Sequence, residues 1–318
     1  MKPTSSALGI TCLIFGIAIF SVQDLILKWI SGDYPLHQAM VLRSVTAIPC
    51  LLALTLWLDG GLRSLISPTW PAMLGRGLLN FAAYTAYYLA LAALPMATTV
   101  ALYFTAPLII TILSVVLLHE KVSARRWAAI CVGFGGVVIM VRPGGDLFDW
   151  AALLPVFCGV AYAGSMILAR TMGARDTAAA MAFWGNIAFL ACAAVLSVIY
   201  GPGGYGQSGH ASLQFLMRGW AMPTLWDGFL MGSCGVIAAL GLTALTQAYR
   251  ISQSSVVAPF EFTFAFWGVL WGWLFWGDLP DLWGWVGITV IVAMGIAVLR
   301  AEQPEPVSPD PGTSRAGR

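Results

Sequence analysis

Ten apolar stretches fill this chain almost end to end, at residues 7–30, 35–58, 70–94, 96–118, 127–141, 150–170, 177–200, 226–249, 254–276 and 282–299. A spanning helix needs about 20 mostly apolar residues. Nine stretches have or approach that length; the fifth is short, and its helix is expected to start a few residues earlier. Charged residues are 9% of the chain and hydrophobic ones 59%, whereas soluble domains carry about 25% charged residues. The solvent this chain requires is lipid. Its apolar runs are continuous, where the strands of a membrane barrel alternate, so helices are selected. The expected fold is an all-α polytopic membrane protein with ten transmembrane helices, and the linkers are too short to hold a further soluble domain.

Charge placement orients the bundle. With the N-terminus inside, Lys2, Arg63, Lys121, Arg125, Arg126, Arg170, Arg175, Arg250, Arg300, Arg315 and Arg318 fall on the cytoplasmic side. Only Lys28, Arg142 and Arg218 fall outside, while Arg43 and Arg76 lie within helices. By the positive-inside rule both termini are cytoplasmic, and the expected location is a bacterial inner membrane. The slight positive balance therefore reports topology, not a nucleic-acid surface. The first stretch is too long for a cleavable signal and has no small-residue cleavage site after it. Cys12, Cys50, Cys131, Cys158, Cys192 and Cys234 all lie in apolar stretches without a CxxC pair and read as packing residues. The tail 301–318, with Pro304, Pro306, Pro309 and Pro311, reads as a disordered cytoplasmic extension.

A shift of 158 residues lays 96–142 over 254–300 without a gap. Phe104 and Thr105 fall on Phe262 and Thr263, Glu120 on Asp278, Trp127 on Trp285 and Arg142 on Arg300. Residues 7–142 and 150–300 then hold five spans each. An odd number reverses the second copy, which makes two inverted five-helix repeats related by an axis in the membrane plane. Folds of this kind place a solute site near the midplane between repeats and alternate access around it.

Three segments carry a resemblance to a known family. They are SVQDLILKWISGDYPLHQAMVLRS (21–44), YYLALAALPMATTVALYFTAPLIITILSVVLLHEKVSARRWAAICVGFGGVVIMVRP (87–143) and APFEFTFAFWGVLWGWLFWGDLPDLWGWVGITVIVAMGIAVL (258–299). With its five-plus-five spans, the chain resembles the EamA-type group of the drug/metabolite transporter superfamily over about 7–300. The resemblance implies a central cavity lined by spans one to four and six to nine, with spans five and ten peripheral. It does not imply a substrate, since the group carries amino acids, vitamins, nucleotide-like cofactors and drugs. FWGD at 275–278 and the long loop 201–220 depart from the usual pattern.

A charge at the bilayer centre costs about 2.5–3.5 kcal/mol or more, so ionisable residues inside spans are candidates for function. Asp24 and Lys28 share a face of the first helix, one turn apart. Asp24 and Arg43 lie at matching depths, roughly 9 and 12 Å below the outer helix ends. They are expected to pair, either as a helix lock or as an outer gate or carboxylate-binding site. Arg76, Asn80, Tyr84 and Tyr88 recur at four-residue steps, a polar stripe that must face protein or a wet cavity. Glu261 follows Pro259, overlays Tyr103 in the repeat and lies at the depth of Arg76. It is expected to pair with Arg76, or to bind a substrate amine or a coupling proton. Asn186, Trp184 and Gln247 are weaker candidates. Gly228/Gly232 and Gly268/Gly272 read as close-packing pairs. Residues 212–220 are expected to form a short interfacial helix.

No Walker loop, HExxH motif, GxSxG elbow or catalytic constellation is present in the sequence. No cofactor and no metal are expected. The reading is a secondary transporter of a small organic metabolite, amino-acid-like or otherwise amphipathic, working by efflux or exchange. Uptake of an amphipathic cofactor such as riboflavin or S-adenosylmethionine is the alternative, and a non-transporting membrane enzyme or assembly factor is the alternative of another class. The expected partners are the solute, the lipid bilayer and no nucleic acid; protons as coupling ions and a homodimer are left open. The topology is testable with a reporter active only outside the cytoplasm. Fused at Gly204 it should be active and at Arg300 silent; the reverse pattern removes the ten-span arrangement.

Overall fold

Long, continuously apolar runs fold as helices in lipid, because a helix satisfies its own backbone. The computed structural model describes residues 3–94, 96–141, 150–204 and 209–277, with 282, 283, 285–287, 289, 290 and 293. Most of the expected tenth span, the tail 301–318, Asp278, Arg142 and Arg300 lie outside the described residues. Within them the helices are α1 (Pro3–Ile30), α2 (Leu36–Asp59), α3 (Trp70–Ala93), α4 (Met96–Tyr103), α5 (Thr105–Leu118), α6 (Ala124–Val141), α7 (Leu153–Met172), α8 (Ala178–Tyr200), α9 (Ala211–Met217), α10 (Leu225–Ile251), α11 (Ser254–Val257) and α12 (Phe264–Trp276). Six helical segments are long and apolar enough to cross a membrane. α3 has the length, 24 residues, but its polar stripe lowers its apolarity. The chain is an all-helical polytopic membrane protein. The fifth span begins at Ala124, a few residues ahead of its apolar run, and the short helix expected in 212–220 forms as α9.

The fourth and ninth apolar stretches are broken, and they break alike. α4 and α5 meet at Phe104, where Thr105 Oγ1 donates to the Leu102 carbonyl at 3.0 Å. Between α11 and α12, residues Ala258–Thr263 form a 3-10 turn started by Pro259, and Thr263 Oγ1 donates to the Phe260 carbonyl at 2.7 Å. Each of these positions overlays its partner under the 158-residue shift. So do the left-handed residues that end α5 and α12, His119 (φ 54) and Gly277 (φ 72). The rings of Phe104 and Phe262, equivalent residues, pack against each other at 5.2 Å.

Helix packing follows the same exchange. α1 packs on α10, and α7 packs on α3; α2 packs on α10, and α8 packs on α3; α2 and α8 pack on each other. The close approaches occur at Gly235 and Gly77, again 158 apart. A Cβ on Gly235 would meet the Arg43 carbonyl at 2.5 Å and the Ala47 nitrogen at 2.6 Å, and would also strike Thr46 Oγ1. A Cβ on Gly77 would meet the Gly185 carbonyl at 2.7 Å. The glycines of the expected close-packing pairs leave more room: a Cβ on Gly228, Gly232 or Gly268 would find its nearest atom 3.6–3.9 Å away, an ordinary contact distance, although the Gly232 carbonyl accepts from Thr46 Oγ1 of α2 at 2.8 Å. Cys158 and Cys234 are buried packing residues, whereas Cys131 lies exposed on α6.

The two ends of the bundle are tied by polar contacts. At the α1–α2 end, Tyr34 Oη donates to Asp227 (2.8 Å), His37 meets the Arg218 carbonyl (3.1 Å) and Gln38 donates to the Ala221 carbonyl (2.7 Å), which fastens the segment after α9. At the opposite end Glu120 accepts the backbone N–H groups of Ser254 and Ser255, both at 3.2 Å, and faces Arg170 at 3.7 Å.

Glycine substitutions test this packing. Gly235→Ala and Gly77→Ala should each lower stability by about 1–3 kcal/mol through overpacking against backbone. Gly268→Ala, with room and a better helix propensity, should be neutral or stabilising in thermal unfolding of the purified protein. Equal effects at the three sites would show that the close approaches do not control stability.

Candidate functional site

A cavity of about 150 Å³ lies between α1, α2, α3, α4, α7, α8, α10 and the broken ninth stretch. Asp24, Arg43, Asn80, Tyr84, Tyr103, Asn186 and Glu261 all line it. Arg76 does not.

Two carboxylates stand in its wall, and neither meets the cation expected for it. Arg43, only 4% exposed, donates from Nε to Gln23 Oε1 at 2.9 Å. Gln23 Nε2 donates to Tyr88 Oη at 3.2 Å, and the Tyr88 hydroxyl donates to Asp24. The direct Asp24–Arg43 pair is therefore replaced by a relay through an amide and a phenol. The pair was expected from matching depth, but consecutive helix residues point about 100° apart. Gln23 is turned to α2 and Asp24 to α3. The Arg43 guanidinium carbon lies over the rings of Tyr84 and Phe189, 4.8 and 4.7 Å from their centroids; these rings pack edge to face at 5.0 Å and so flank the cation on one side.

Glu261 sits in the 3-10 turn, where Oε1 accepts from Tyr162 Oη and Tyr249 Oη, each at 2.8 Å. The Tyr103 hydroxyl bears on the same carboxylate. The expected Glu261–Arg76 pair is not formed. Arg76 is fully buried and donates to the Ser165 carbonyl (3.1 Å), the Met181 carbonyl (3.5 Å) and Thr246 Oγ1 (2.7 Å). It ties α3 to α7, α8 and α10 at once. Tyr162 stands near both ions and gives its proton to Glu261, so phenols do what the guanidinium was expected to do.

The remaining candidates divide. Asn80 Nδ2 and the Tyr87 hydroxyl are buried without a hydrogen-bond partner among the described residues, and both belong to the cavity wall. Asn186 donates to the Ser44 carbonyl at 3.0 Å and pins α8 to α2. Trp184 donates to the Leu65 carbonyl and Gln247 accepts from Arg250, both away from the cavity. Trp271 donates to Ser21 Oγ at 2.9 Å and stacks on Trp267. Sequence reasoning missed Gln23, Tyr162, Tyr249 and Phe189. Tyr162 had a usable signal: it is the one tyrosine of the span 150–170. Among the described residues no group of three His, Cys, Asp or Glu is placed to hold a metal.

Residues 7–142 match the EamA-like transporter family. A riboflavin transporter of Rhizobium johnstonii is 26% identical over 95% of this chain and 94% of its own. A pseudopaline exporter, CntI, of Pseudomonas aeruginosa is 25% identical over 93% and 97%. A solved crystal structure superposes with a TM-score of 0.73 over 95% of this chain and 100% of its own, at 16% identity, which is a likeness of fold.

The relay sets an order of coupling energies. In double-mutant cycles read by unfolding of the purified protein, Gln23→Ala with Arg43→Gln, and Tyr88→Phe with Asp24→Asn, should each show non-additivity of about 0.5–3 kcal/mol. Asp24→Asn with Arg43→Gln should be closer to additive. The strongest coupling in that last pair would restore a direct ion pair.

Proposed function

We propose that this chain, which matches the EamA-like transporter family over residues 7–142 and resembles named small-metabolite transporters along most of its length, works by alternating-access efflux or exchange of an amphipathic organic solute. The solute binds in the cavity through Asp24, Arg43, Asn80, Tyr84, Tyr103, Asn186 and Glu261, while Arg76 acts as a tie between helices. The moving bodies are the repeats 7–142 and 150–300, with both termini in the cytoplasm of a bacterial cell and the protein in its inner membrane.

One observation carries this reading. The polar wall is contributed by both halves: Asp24, Arg43 and Asn80 from the first, Tyr162, Asn186 and Glu261 from the second. A solute held there contacts both bodies, so its binding energy bears on their relative position, and a solute can shift that equilibrium only through such differential contacts. The aromatic faces and unspent amide and hydroxyl groups suit a solute with one flat apolar part and one polar part. The cavity is complete within one chain, so a homodimer would be two carriers side by side.

Glu261 is the coupling group in this scheme. An ionised carboxylate only accepts hydrogen bonds. Protonation makes one oxygen a donor, which weakens its hold on the tyrosines of α4, α7 and α10 and frees the broken ninth span. Uptake is the second reading, favoured by the name of a Rickettsia bellii relative, an S-adenosylmethionine uptake transporter 24% identical over 72% of this chain, whereas the Pseudomonas relative is named an exporter.

Transport in proteoliposomes decides between these. The protein should move riboflavin or an amino-acid-like solute, loaded inside or outside, at pH 6 and pH 8. Glu261→Gln should keep its unfolding temperature within a few degrees yet lose about tenfold or more of transport, or lose its pH dependence. Full transport with unchanged pH dependence removes Glu261 from coupling. A large drop in unfolding temperature instead makes it a structural acceptor.

A further inference from the structure

Arg43 has more hydrogen-bonding capacity than the protein uses. A guanidinium carries five N–H donors in a planar fork. The protein takes one, Nε, through Gln23. Nη1 and Nη2 make no hydrogen bond among the described residues, and no carboxylate there lies within ion-pair distance of them. Yet the side chain is buried and lines the cavity. Arg76 is the contrast: equally buried, its donors are spent on two carbonyls and a hydroxyl.

The surroundings fix how Arg43 can be approached. Tyr84 and Phe189, 5.0 Å apart, together wall one side of it. Gln23 holds the Nε side, which leaves the outer edge of the fork free on the cavity. The backbone is held too, because the Arg43 carbonyl abuts Gly235 of α10. A pre-aimed fork with a free outer edge matches a carboxylate, whose two oxygens take two parallel N–H bonds in one plane.

We infer that Arg43 is the specificity-determining residue of the cavity and that it binds a carboxylate on the transported solute. This rests on the proposal that the cavity is the transport site, and it narrows the solute to organic acids and zwitterions. Gln23 is the positioning residue: it sets the fork through Nε, with its amide oxygen and nitrogen engaged by Arg43 and Tyr88. Asp24, one residue on, has its second oxygen unspent among the described residues, so a zwitterion would find an acceptor for its ammonium on the same wall.

The test uses matched probes that differ only in this group: N-acetyl-L-phenylalanine and its amide, and L-phenylalanine and its amide. Riboflavin serves as a carboxylate-free solute and inorganic phosphate as a non-planar anion. Binding is read by ligand-induced shift of the unfolding temperature, and transport in proteoliposomes. In the wild type each acid should bind about tenfold or more tightly than its amide, since hydrogen bonds to charged groups are among the strong ones. Phosphate should compete poorly. Arg43→Lys and Arg43→Gln should reduce the acid preference to under about threefold, and Gln23→Ala should reduce it part way with Arg43 intact. The wild-type comparison needs no variant and stands even if one fails to fold. The inference is overturned if acid and amide bind equally, if the preference survives Arg43→Gln, or if riboflavin is bound and carried while no acid is. If neither the acids nor riboflavin are bound or carried, the transport reading falls with it.

Discussion

In hydrocarbon a buried polar group has no water to return to, so every ion and amide in this bundle must find a partner on another helix. That requirement shapes the interior. Arg76 is the clearest case: a fully buried cation that spends its donors on α7, α8 and α10. The groups that gather such partners hold helices together, and among the groups that lack them are some that line the cavity. Asn80 Nδ2, the Tyr87 hydroxyl and the outer edge of Arg43 belong to the second kind.

The broken helices give the bundle a second use for the same physics. A helix interrupted near the cavity exposes backbone and redirects side chains, which membrane proteins tolerate only against protein or a wet space. Here Thr105 and Thr263 each fold a hydroxyl back onto a carbonyl three residues earlier. The second break also carries Glu261 into the cavity wall on a turn begun by Pro259. Its partners sit on α7 and α10, so one carboxylate links three elements. The first break has Tyr103 at the overlaid position, which offers a hydroxyl where the second offers a carboxylate. The halves are alike in backbone and unlike in chemistry, as expected of a site that must favour one solute pose over its mirror.

Much of this was legible in the residues, and the reason it stopped is geometric. Apolar length and continuity located the helices, and the fifth span begins at Ala124, a few residues early, as expected. The stretches 96–118 and 254–276 were expected as unbroken spans; the breaks fall at the Phe104–Thr105 and Phe262–Thr263 landmarks that register the repeat. Depth along a helix follows from a rise of 1.5 Å per residue, so Asp24 and Arg43 could be placed at similar levels. Azimuth does not follow so simply. Whether Gln23 or Asp24 faces α2 depends on how α1 is rotated by its contact with α10, a long-range term absent from local pattern. The same gap concealed Tyr162 and Tyr249 as partners of Glu261. Gly235 and Gly77 were missed for a related reason: a small residue permits close approach, but only the neighbouring helix makes it occur.

The separation of Asp24 from Arg43 has a mechanistic consequence. A direct ion pair would cancel both charges inside the protein, and a solute would have to displace it. The Gln23–Tyr88 relay keeps the two ions oriented through neutral groups while leaving each with unused valence. Desolvation has then been met once, in folding, by rings beside Arg43 and hydroxyls on the carboxylates. A solute that completes these valences would gain charge-assisted hydrogen bonds without first breaking an ion pair. A solute that reached from Arg43 or Asp24 of the first half to Glu261 of the second, all three in the cavity wall, would make a gain that depends on how the halves are arranged, and such dependence is what couples binding to movement in a carrier.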